Sequence, residues 1–288
     1  MPTGDQRLQF SLNHVTAPGL PWRDLVDLAA DLGCVGVEFR TDLPQPLFGQ
    51  DPPEEVAAHC AAKDIRILAL AEISHFNDID DAKLGAVAQL ARTARRAGAP
   101  AIILIPRVAG GPAPLDQICT ALHRIGNVLA DEGMRGLVEP IGFAESSLRE
   151  AALARHAIRE THGPKRFGII HDTFHHHLAG GGPLSSEMVE IVHVSGVARE
   201  ADAAAISDAD RGLVDGSDRL GTVDQLRALA ARHSAAPISV EAFSPLVQTN
   251  TDPRAALERT LEFITTSLGQ TALSPRRDGS PAPVGVPA

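Results

Sequence analysis

Short apolar runs alternate along the chain with longer segments in which apolar residues recur at helical spacing. The runs have the length of strands, and they lie at 8–13, 34–39, 65–70, 100–105, 134–139, 167–172, 190–195 and 237–243. Between the first two runs, Leu25, Leu28 and Leu32 show the helical period, which gathers apolar side chains on one face of a helix. Alternating strands and helices are typical of a parallel sheet built from βα units. Because there are eight units, the pattern predicts a single α/β domain, a (β/α)₈ TIM barrel.

Glycines and prolines mark the limits of these elements. Gly33, Gly98 and Gly133 each follow a predicted helix and precede a strand, which is the usual position of a glycine that ends a helix. The segment 196–221 predicts a long loop with a short helical turn, and such loops often carry substrate contacts. Residues 1–270 are therefore assigned to one catalytic barrel domain. Residues 271–288 are rich in Pro and Gly without apolar periodicity, which predicts a flexible C-terminal tail.

Composition narrows the classes of partner. The chain has 288 residues and a formal charge of -10, whereas nucleic-acid binding requires clustered basic residues. The three cysteines, Cys34, Cys60 and Cys119, lack the spacing of a thiolate zinc site or a disulfide framework. No apolar run approaches the length of a membrane span, and MPTGDQRLQF does not resemble a leader. We therefore expect a cytoplasmic protein that acts on a small molecule, without nucleic-acid or membrane partners.

Four late apolar runs end in a residue that can bind a divalent metal. They are Glu139 in GLVEP, Asp172 in GIIHD, His193 in EIVHV and Glu241 in PISVEAF. In a (β/α)₈ barrel the C-terminal strand ends meet at one face, where the active site is built. Each residue has an ordinary alternative, since Asp172 could cap the next helix and His193 could be a hydrogen-bonded core residue. Carboxylates in apolar strand ends are costly to bury without a partner or a metal, so the set predicts one divalent ion, Mn²⁺, Co²⁺, Mg²⁺ or Zn²⁺.

Eight motifs at or near the predicted strand ends form a recognisable set: FSLNHVT, VGVEFRTDLP, IRILALAEISHFN, GLVEPIGF, HDTFHHH, VHVSG, DRGLVDG and VEAFSP. Together they resemble the sugar isomerase/epimerase family of xylose isomerase-like barrels, most closely its inosose isomerases, over about residues 8–268. The resemblance implies that the four strand-end residues hold one divalent metal. It also implies that His175 faces the substrate and that Arg211 binds a hydroxyl or carbonyl oxygen of the substrate.

Two departures from the family pattern concern the substrate contacts. Ser195 and Gly196 stand shortly after His193, where relatives often have an acidic residue, and GLVDGSDRLG at 212–221 replaces a Pro-Gly-rich turn. Other strand-end residues that could contact a substrate are His75, Glu38 and Arg40.

A divalent ion bridged by a carbonyl and a neighbouring hydroxyl would stabilise an enediolate. Glu139 and Glu241 are predicted to act both as metal ligands and as acid/base groups. The expected activity is isomerisation or epimerisation of a polyol or sugar ketone resembling an inosose. An inosose dehydratase or a ketose 3-epimerase would use the same site, and a non-catalytic polyol-binding barrel is the alternative of another class. Barrels of this family are often oligomers, so a homo-oligomer is compatible with the resemblance.

Overall fold

The computed structural model describes residues 8–200 and 202–270, which form a closed barrel of eight parallel strands. The strands are β1 (Phe10–Asn13), β2 (Gly36–Arg40), β3 (Arg66–Ile73), β4 (Ala101–Leu104), β5 (Arg135–Val138), β6 (Phe167–Asp172), β7 (Val189–Val194) and β8 (Ile238–Val240). Each strand pairs with the next one, and β8 closes the barrel by pairing Ile238 with Phe10. The predicted (β/α)₈ fold is confirmed, and the observed strands begin and end within a few residues of the predicted ones.

Helices follow the strands on the outside of the barrel. They are α1 (Trp22–Asp31), α2 (Pro53–Ala62), α3 (Asp81–Ala97), α4 (Leu115–Asp131), α5 (Ala151–Arg159), α6 (Thr173–Leu178), α7 (Thr222–Ala230), α8 (Pro245–Gln248) and α9 (Arg254–Ser267). Helix α3 shows how the sequence sets the limits of a helix. The Asp80 side chain accepts a hydrogen bond of 2.7 Å from the Lys83 amide at its start, and Gly98 ends it with φ 77°. Both are standard capping arrangements.

The barrel interior is apolar below its C-terminal end. Side chains two positions apart on a strand face the same way, and the residues two positions before three of the strand-end polar groups are buried and apolar: Leu137 on β5, Ile170 on β6 and Ile191 on β7. They belong to a cluster contributed by β3 to β7, separate from the larger core between strands and helices. The polar strand ends are therefore bordered on one side by buried apolar side chains, which exclude water from that side.

The remaining expectations concern the loops, the cysteines and the tail. The segment after β7 contains two short 3₁₀ turns, Ala203–Ala205 and Asp208–Asp210, within a long loop, as predicted. Cys34 and Cys60 are buried and Cys119 is partly exposed. Among the described residues no helix combines the length and the apolar character that crossing a bilayer requires. The predicted flexible tail, 271–288, lies outside the described residues.

Candidate metal centre

Four consecutive strands bring their end residues to one point inside the barrel. Glu139, Asp172, His193 and Glu241 each offer a ligand atom, and these atoms lie within 4.8 Å of one another. All four residues are buried, with at most 3% of their surface exposed. Two ligands on opposite sides of an ion, each about 2.1 Å from it, are about 4.2 Å apart. The cluster therefore fits one divalent ion after side-chain shifts of a few tenths of an ångström, and three carboxylates with one imidazole suit Mg²⁺, Mn²⁺, Co²⁺ or Zn²⁺.

The two ring nitrogens of His193 have different surroundings. Nδ1 lies 3.2 Å from Glu139 Oε1 and 3.2 Å from Glu241 Oε2, whereas Nε2 lies 3.1 Å from Glu38 Oε2 on the other side of the ring. A carboxylate that accepts from the outer nitrogen fixes the tautomer of a metal-binding histidine and leaves the inner nitrogen free to coordinate. Nδ1 is thus the ring atom that a metal in the cluster would meet, and Glu38 lies on the opposite side of the ring.

The charges of the cluster are strongly coupled. Burial disfavours the charged imidazole, but the carboxylates of Glu241, Glu38 and Glu139 outweigh this, so the pKa of His193 is raised well above its usual value. Burial raises the pKa of Glu139 to about 7, although His193 opposes the rise. For Glu241 burial acts in the same direction, but His193 and Arg211 hold its pKa well below the usual range. Two neighbouring carboxylates thus differ in their readiness to carry a proton, a feature typical of acid/base pairs.

Asp172 can take both of the roles between which the sequence could not choose. Its Oδ1 accepts hydrogen bonds from the amides of Phe174 at 2.7 Å and His175 at 3.1 Å, and so caps α6. Its Oδ2 points to the cluster, where it accepts from Arg211 Nη2 at 2.7 Å. Because each oxygen has its own task, capping and metal binding are compatible in one side chain.

Arg211 comes from the long loop after β7 and is buried against the cluster. Its Nη2 donates to Asp172 Oδ2 and to Glu241 Oε2, both at 2.7 Å. The guanidinium lies between the rings of Phe174, at 4.8 Å, and Phe243, at 4.5 Å. Such stacking holds an arginine in a fixed orientation. Arg211 is therefore placed to touch anything bound between Asp172 and Glu241.

Arg40, at the end of β2, approaches Glu241 from the opposite side. Its Nη1 donates to Glu241 Oε1 at 3.0 Å, and its Nη2 donates to Glu72 at 2.8 Å and to Asp42 at 2.7 Å. Asn13 adds a second bond of 3.0 Å to the same Glu241 oxygen. Glu241 is thus ionised and held at both oxygens.

The other sequence-predicted substrate contacts lie at different depths. Glu38 is fully buried between His193 and the Ser239 hydroxyl, which donates to it, so it is placed to position His193 and not to meet a substrate. His175 is 4% exposed at the start of α6, and its Nδ1 has no hydrogen-bond partner in the described chain. His75 is exposed after β3, at the rim, with φ 53°.

Two aromatic walls of the site were not predicted. Phe174 and Phe243 each lie two positions after a ligand, and they enclose Arg211. The signal was present for Phe243, because residues two apart in an extended chain face the same way. The Glu-Ala-Phe order after β8 could therefore have placed it beside Glu241.

Comparison with known proteins gives the same fold. The chain shares 27% identity with a xylose isomerase domain-containing protein from Salmonella typhimurium LT2, covering 94% of this chain and 100% of that one at a TM-score of 0.85. The IolI protein with a bound zinc atom is 17% identical, covering 91% and 98% at a TM-score of 0.80. A D-allulose 3-epimerase from Methylomonas sp. is 16% identical, covering 91% and 98% at a TM-score of 0.67. No curated protein matches the chain.

The sequence pattern of one family extends over most of the chain. It is the xylose isomerase-like TIM barrel family, and the match covers residues 26–267. The closed eight-stranded barrel is the fold that this match requires. The chain belongs to the xylose isomerase-like TIM barrel family.

Proposed function

We propose that the protein is a divalent-metal-dependent isomerase or epimerase that acts on the ketone of a polyol or sugar. The observation that carries the proposal is the convergence of Glu139, Asp172, His193 and Glu241 at the C-terminal face of the barrel, with one ligand atom from each within 4.8 Å of the others. The names of two similar structures, a zinc-bound IolI protein and a D-allulose 3-epimerase, support the same class of chemistry.

The two glutamates of the cluster supply the acid/base chemistry in this proposal. A divalent ion would act as a Lewis acid on neighbouring carbonyl and hydroxyl oxygens and so acidify the C–H between them. Glu241 is held ionised by His193, Arg211 and Arg40, which suits a proton acceptor. Glu139, with a pKa raised to about 7 by burial, suits a group that carries a proton in the neutral range. Return of the proton to the next carbon moves the carbonyl, and return to the opposite face of the same carbon inverts a stereocentre.

The charges around the cluster favour an uncharged substrate. Arg40 is already bonded to Asp42, Glu72 and Glu241. Arg211 is bonded to Asp172, Glu241 and Asp208. Both arginines next to the cluster are thus neutralised by carboxylates, and a phosphate or carboxylate on the substrate would have to displace them. Hydroxyl groups, by contrast, can accept from a guanidinium and donate to a carboxylate at the same time.

Substrate and positioning roles follow from this arrangement. Arg211 and Arg40 would contact substrate oxygens, and His175 and His75 would contact the substrate from α6 and from the rim. Glu38 would position His193. We expect the substrate to be an inosose and the protein to act in the cytoplasm. A ketose 3-epimerase or an inosose dehydratase would require the same first proton transfer. Loss of a β-hydroxyl after that transfer separates the dehydratase from the other two.

Hydrogen exchange into the substrate tests this proposal. Proton NMR of 2-keto-myo-inositol in D₂O would be followed with chelator-treated protein, with Mg²⁺- or Zn²⁺-loaded protein, and with the loaded variant Glu241→Gln. A matched control is Glu190→Gln, which changes a glutamate at the other end of β7, paired with Arg135. We expect metal-dependent deuterium uptake or a new ketone, lost in Glu241→Gln and kept in Glu190→Gln. A loaded protein that exchanges neither this ketone nor a panel of ketohexoses would contradict the proposal and favour a polyol-binding barrel.

A further inference from the structure

A second polar cavity lies outside the barrel, behind the metal ligand Asp172. It has a volume of about 280 Å³ and is enclosed by α5, α6 and the loop that follows α6. We call it the α5–α6 cavity, and its polar lining includes Arg149, Arg155, His171, His176 and Ser185. Since His171 neighbours the inward-pointing Asp172 on β6, its ring faces the outer side of the sheet. The cavity therefore lies on the outer side of the sheet and borders the metal centre at Asp172 and at Pro140, which follows Glu139.

Arg155 is the least satisfied cation of this cavity. Its side chain is partly buried, and it forms no hydrogen bond and no ion pair within 4 Å in the described part of the chain. The pKa of Arg155 is lowered chiefly by burial, which outweighs the attraction of the Glu187 carboxylate. Arg149 lies beside it, with Nε and Nη2 bonded to the Gly142 carbonyl at 3.0 and 2.8 Å. An arginine fixed in this way and an unpaired one form a ready site for an anion.

His171 presents an unpaired ring nitrogen to the same space. The residue is 5% exposed, and its Nε2 lies 3.0 Å from Gln225 Oε1. The Gln225 amide nitrogen donates to the carbonyls of Thr173 and Leu220, which fixes its oxygen toward His171 and assigns the ring proton to Nε2. Nδ1 makes no hydrogen bond in the described chain, and His171 is one of the residues that line the cavity. A ring nitrogen with a free lone pair beside a cavity can accept from a donor, such as the hydroxyl of a hydrogen phosphate.

Backbone groups add to the positive character of the cavity. Its wall contains Ala151 and Ala152, the first residues of α5, and the N-cap residue Glu150 makes no side-chain cap. The first amides of a helix point outward and attract anions. The loop after α6 contributes Gly181 and Gly182 to the lining, with φ 69° and 102°; the Gly181 amide donates to the His176 carbonyl at 2.9 Å, and a Cβ at either glycine would meet open space. Two carboxylates, those of the exposed Glu150 and of Asp172, line the cavity with two arginines and two histidines, and Asp172 Oδ2 is already bonded to Arg211.

We propose that the α5–α6 cavity binds a phosphate group, either as inorganic phosphate or at the end of a small monoester. The guanidinium of Arg155 and the free donors of Arg149 and α5 would hold its oxygens, and His171 Nδ1 would accept from its hydroxyl. The volume leaves room for a small organic substituent. This site goes beyond the proposed function, because it uses neither the metal ligands nor the substrate contacts. Its occupant would touch His176 on α6, the helix whose first residues carry Phe174 and His175 beside the metal centre.

Calorimetric titration of the metal-loaded protein with inorganic phosphate and, separately, with glycerol 3-phosphate tests the proposal. The variant Arg155→Gln removes the unpaired cation, and we expect it to weaken binding about tenfold or more. Arg159→Gln is the matched control, because it changes the same residue type one turn along α5, where Arg159 pairs with Glu187; we expect affinity within about twofold of wild type. His176→Gln tests the second wall and is expected to weaken binding as well.

Each outcome of this titration decides the matter. Binding that is weakened by Arg155→Gln and His176→Gln but not by Arg159→Gln supports the site, and the tighter of the two ligands identifies its source. Equal affinity in all variants would assign the phosphate to the metal ion and overturn the proposal. Equal weakening by Arg155→Gln and Arg159→Gln would indicate general charge attraction, and would overturn it too. The readout is the heat of phosphate binding, so failure here leaves the exchange experiment on the ketone unaffected.

Discussion

Replacement of Glu38 by Gln tests whether a carboxylate behind His193 is needed for metal binding. Glu38 and His193 are both fully buried, and Glu38 Oε2 lies 3.1 Å from His193 Nε2. The glutamine keeps the size of the side chain and an oxygen that can accept from Nε2. It removes the negative charge and places an amide where Ser239 now donates. The change therefore isolates the charge of the outer carboxylate.

The expected loss follows from the distances. A unit charge about 7 Å from a divalent ion, across the imidazole, attracts it by roughly 5 kcal/mol at an effective dielectric constant of about 20, before desolvation is counted. Desolvation offsets much of this gain, and carboxylates that orient metal-binding histidines typically change metal affinity by about 10- to 100-fold. We therefore expect Glu38→Gln to bind Zn²⁺ or Mn²⁺ 10- to 100-fold more weakly, about 1.4–2.7 kcal/mol.

Competition with a chelator of known affinity measures this loss. Glu190→Gln is the control, since it changes a glutamate on the same strand as His193 that pairs with Arg135 instead; its metal affinity should stay within about twofold of wild type. Thermal melting of both chelator-treated variants shows whether the fold is intact. Unchanged metal affinity in a folded Glu38→Gln protein would refute the idea that Glu38 prepares His193 for the metal.

Three further perturbations address the loop, the strand ends and the pH response. Arg211→Gln leaves two buried carboxylates without their shared cation. Urea unfolding of the chelator-treated variant should therefore show a free energy of unfolding about 3–5 kcal/mol lower than that of wild type, whereas the exposed control Arg219→Gln should change it little. Burial lowers the pKa of His171 to about 4. The unfolded chain therefore takes up this proton near pH 6.5 and the folded chain does not, so the stabilisation is full above pH 6.5 and is lost as pH falls toward 4. In urea unfolding, the fall in the free energy of unfolding between pH 6.5 and pH 4 should be smaller in His171→Asn than in wild type by up to roughly 3 kcal/mol. An equal fall in both proteins would exclude the assignment. A Cβ on Gly196 would lie 2.5 Å from a carbonyl oxygen, against 3.6 Å for one on Gly212, its partner in an isolated bridge; Gly196→Ala should lower the free energy of unfolding by about 1–3 kcal/mol, and Gly212→Ala by clearly less.

The features that were predictable from the sequence depend on local order along the chain. Strand and helix periods are local, so the eight βα units could be counted. In a barrel, the strand end is also the place where side chains converge. The four candidate ligands followed from these two facts, and the structure brings them together.

The pairings across the barrel were not encoded locally. Glu38 meets His193 across 155 positions, and Arg40 meets Glu241 across 201. Their strand-end positions indicated that they face inward, but only closure of the barrel determines which residue each one meets. Glu38 therefore lies behind a predicted metal ligand, although the sequence suggested a substrate contact.

The long loop after β7 is a second feature that spacing cannot place. Arg211 reaches the cluster because Gly196 and Gly212 form a bridge that folds the loop back onto β7. Apolar periodicity says nothing about such a turn, since the loop has no regular period. Its position beside the metal ligands was indicated only by the family resemblance.

The metal content of the protein tests the central claim most directly. Chelator-treated wild type and His193→Gln would be dialysed against Zn²⁺ or Mn²⁺, returned to metal-free buffer, and assayed for bound metal by elemental analysis, with thermal melting to show that the variant is folded. We predict one tightly bound ion per chain in the wild type and almost none in His193→Gln. A wild type that retains no ion, or a folded variant that retains as much as the wild type, would contradict the metal centre.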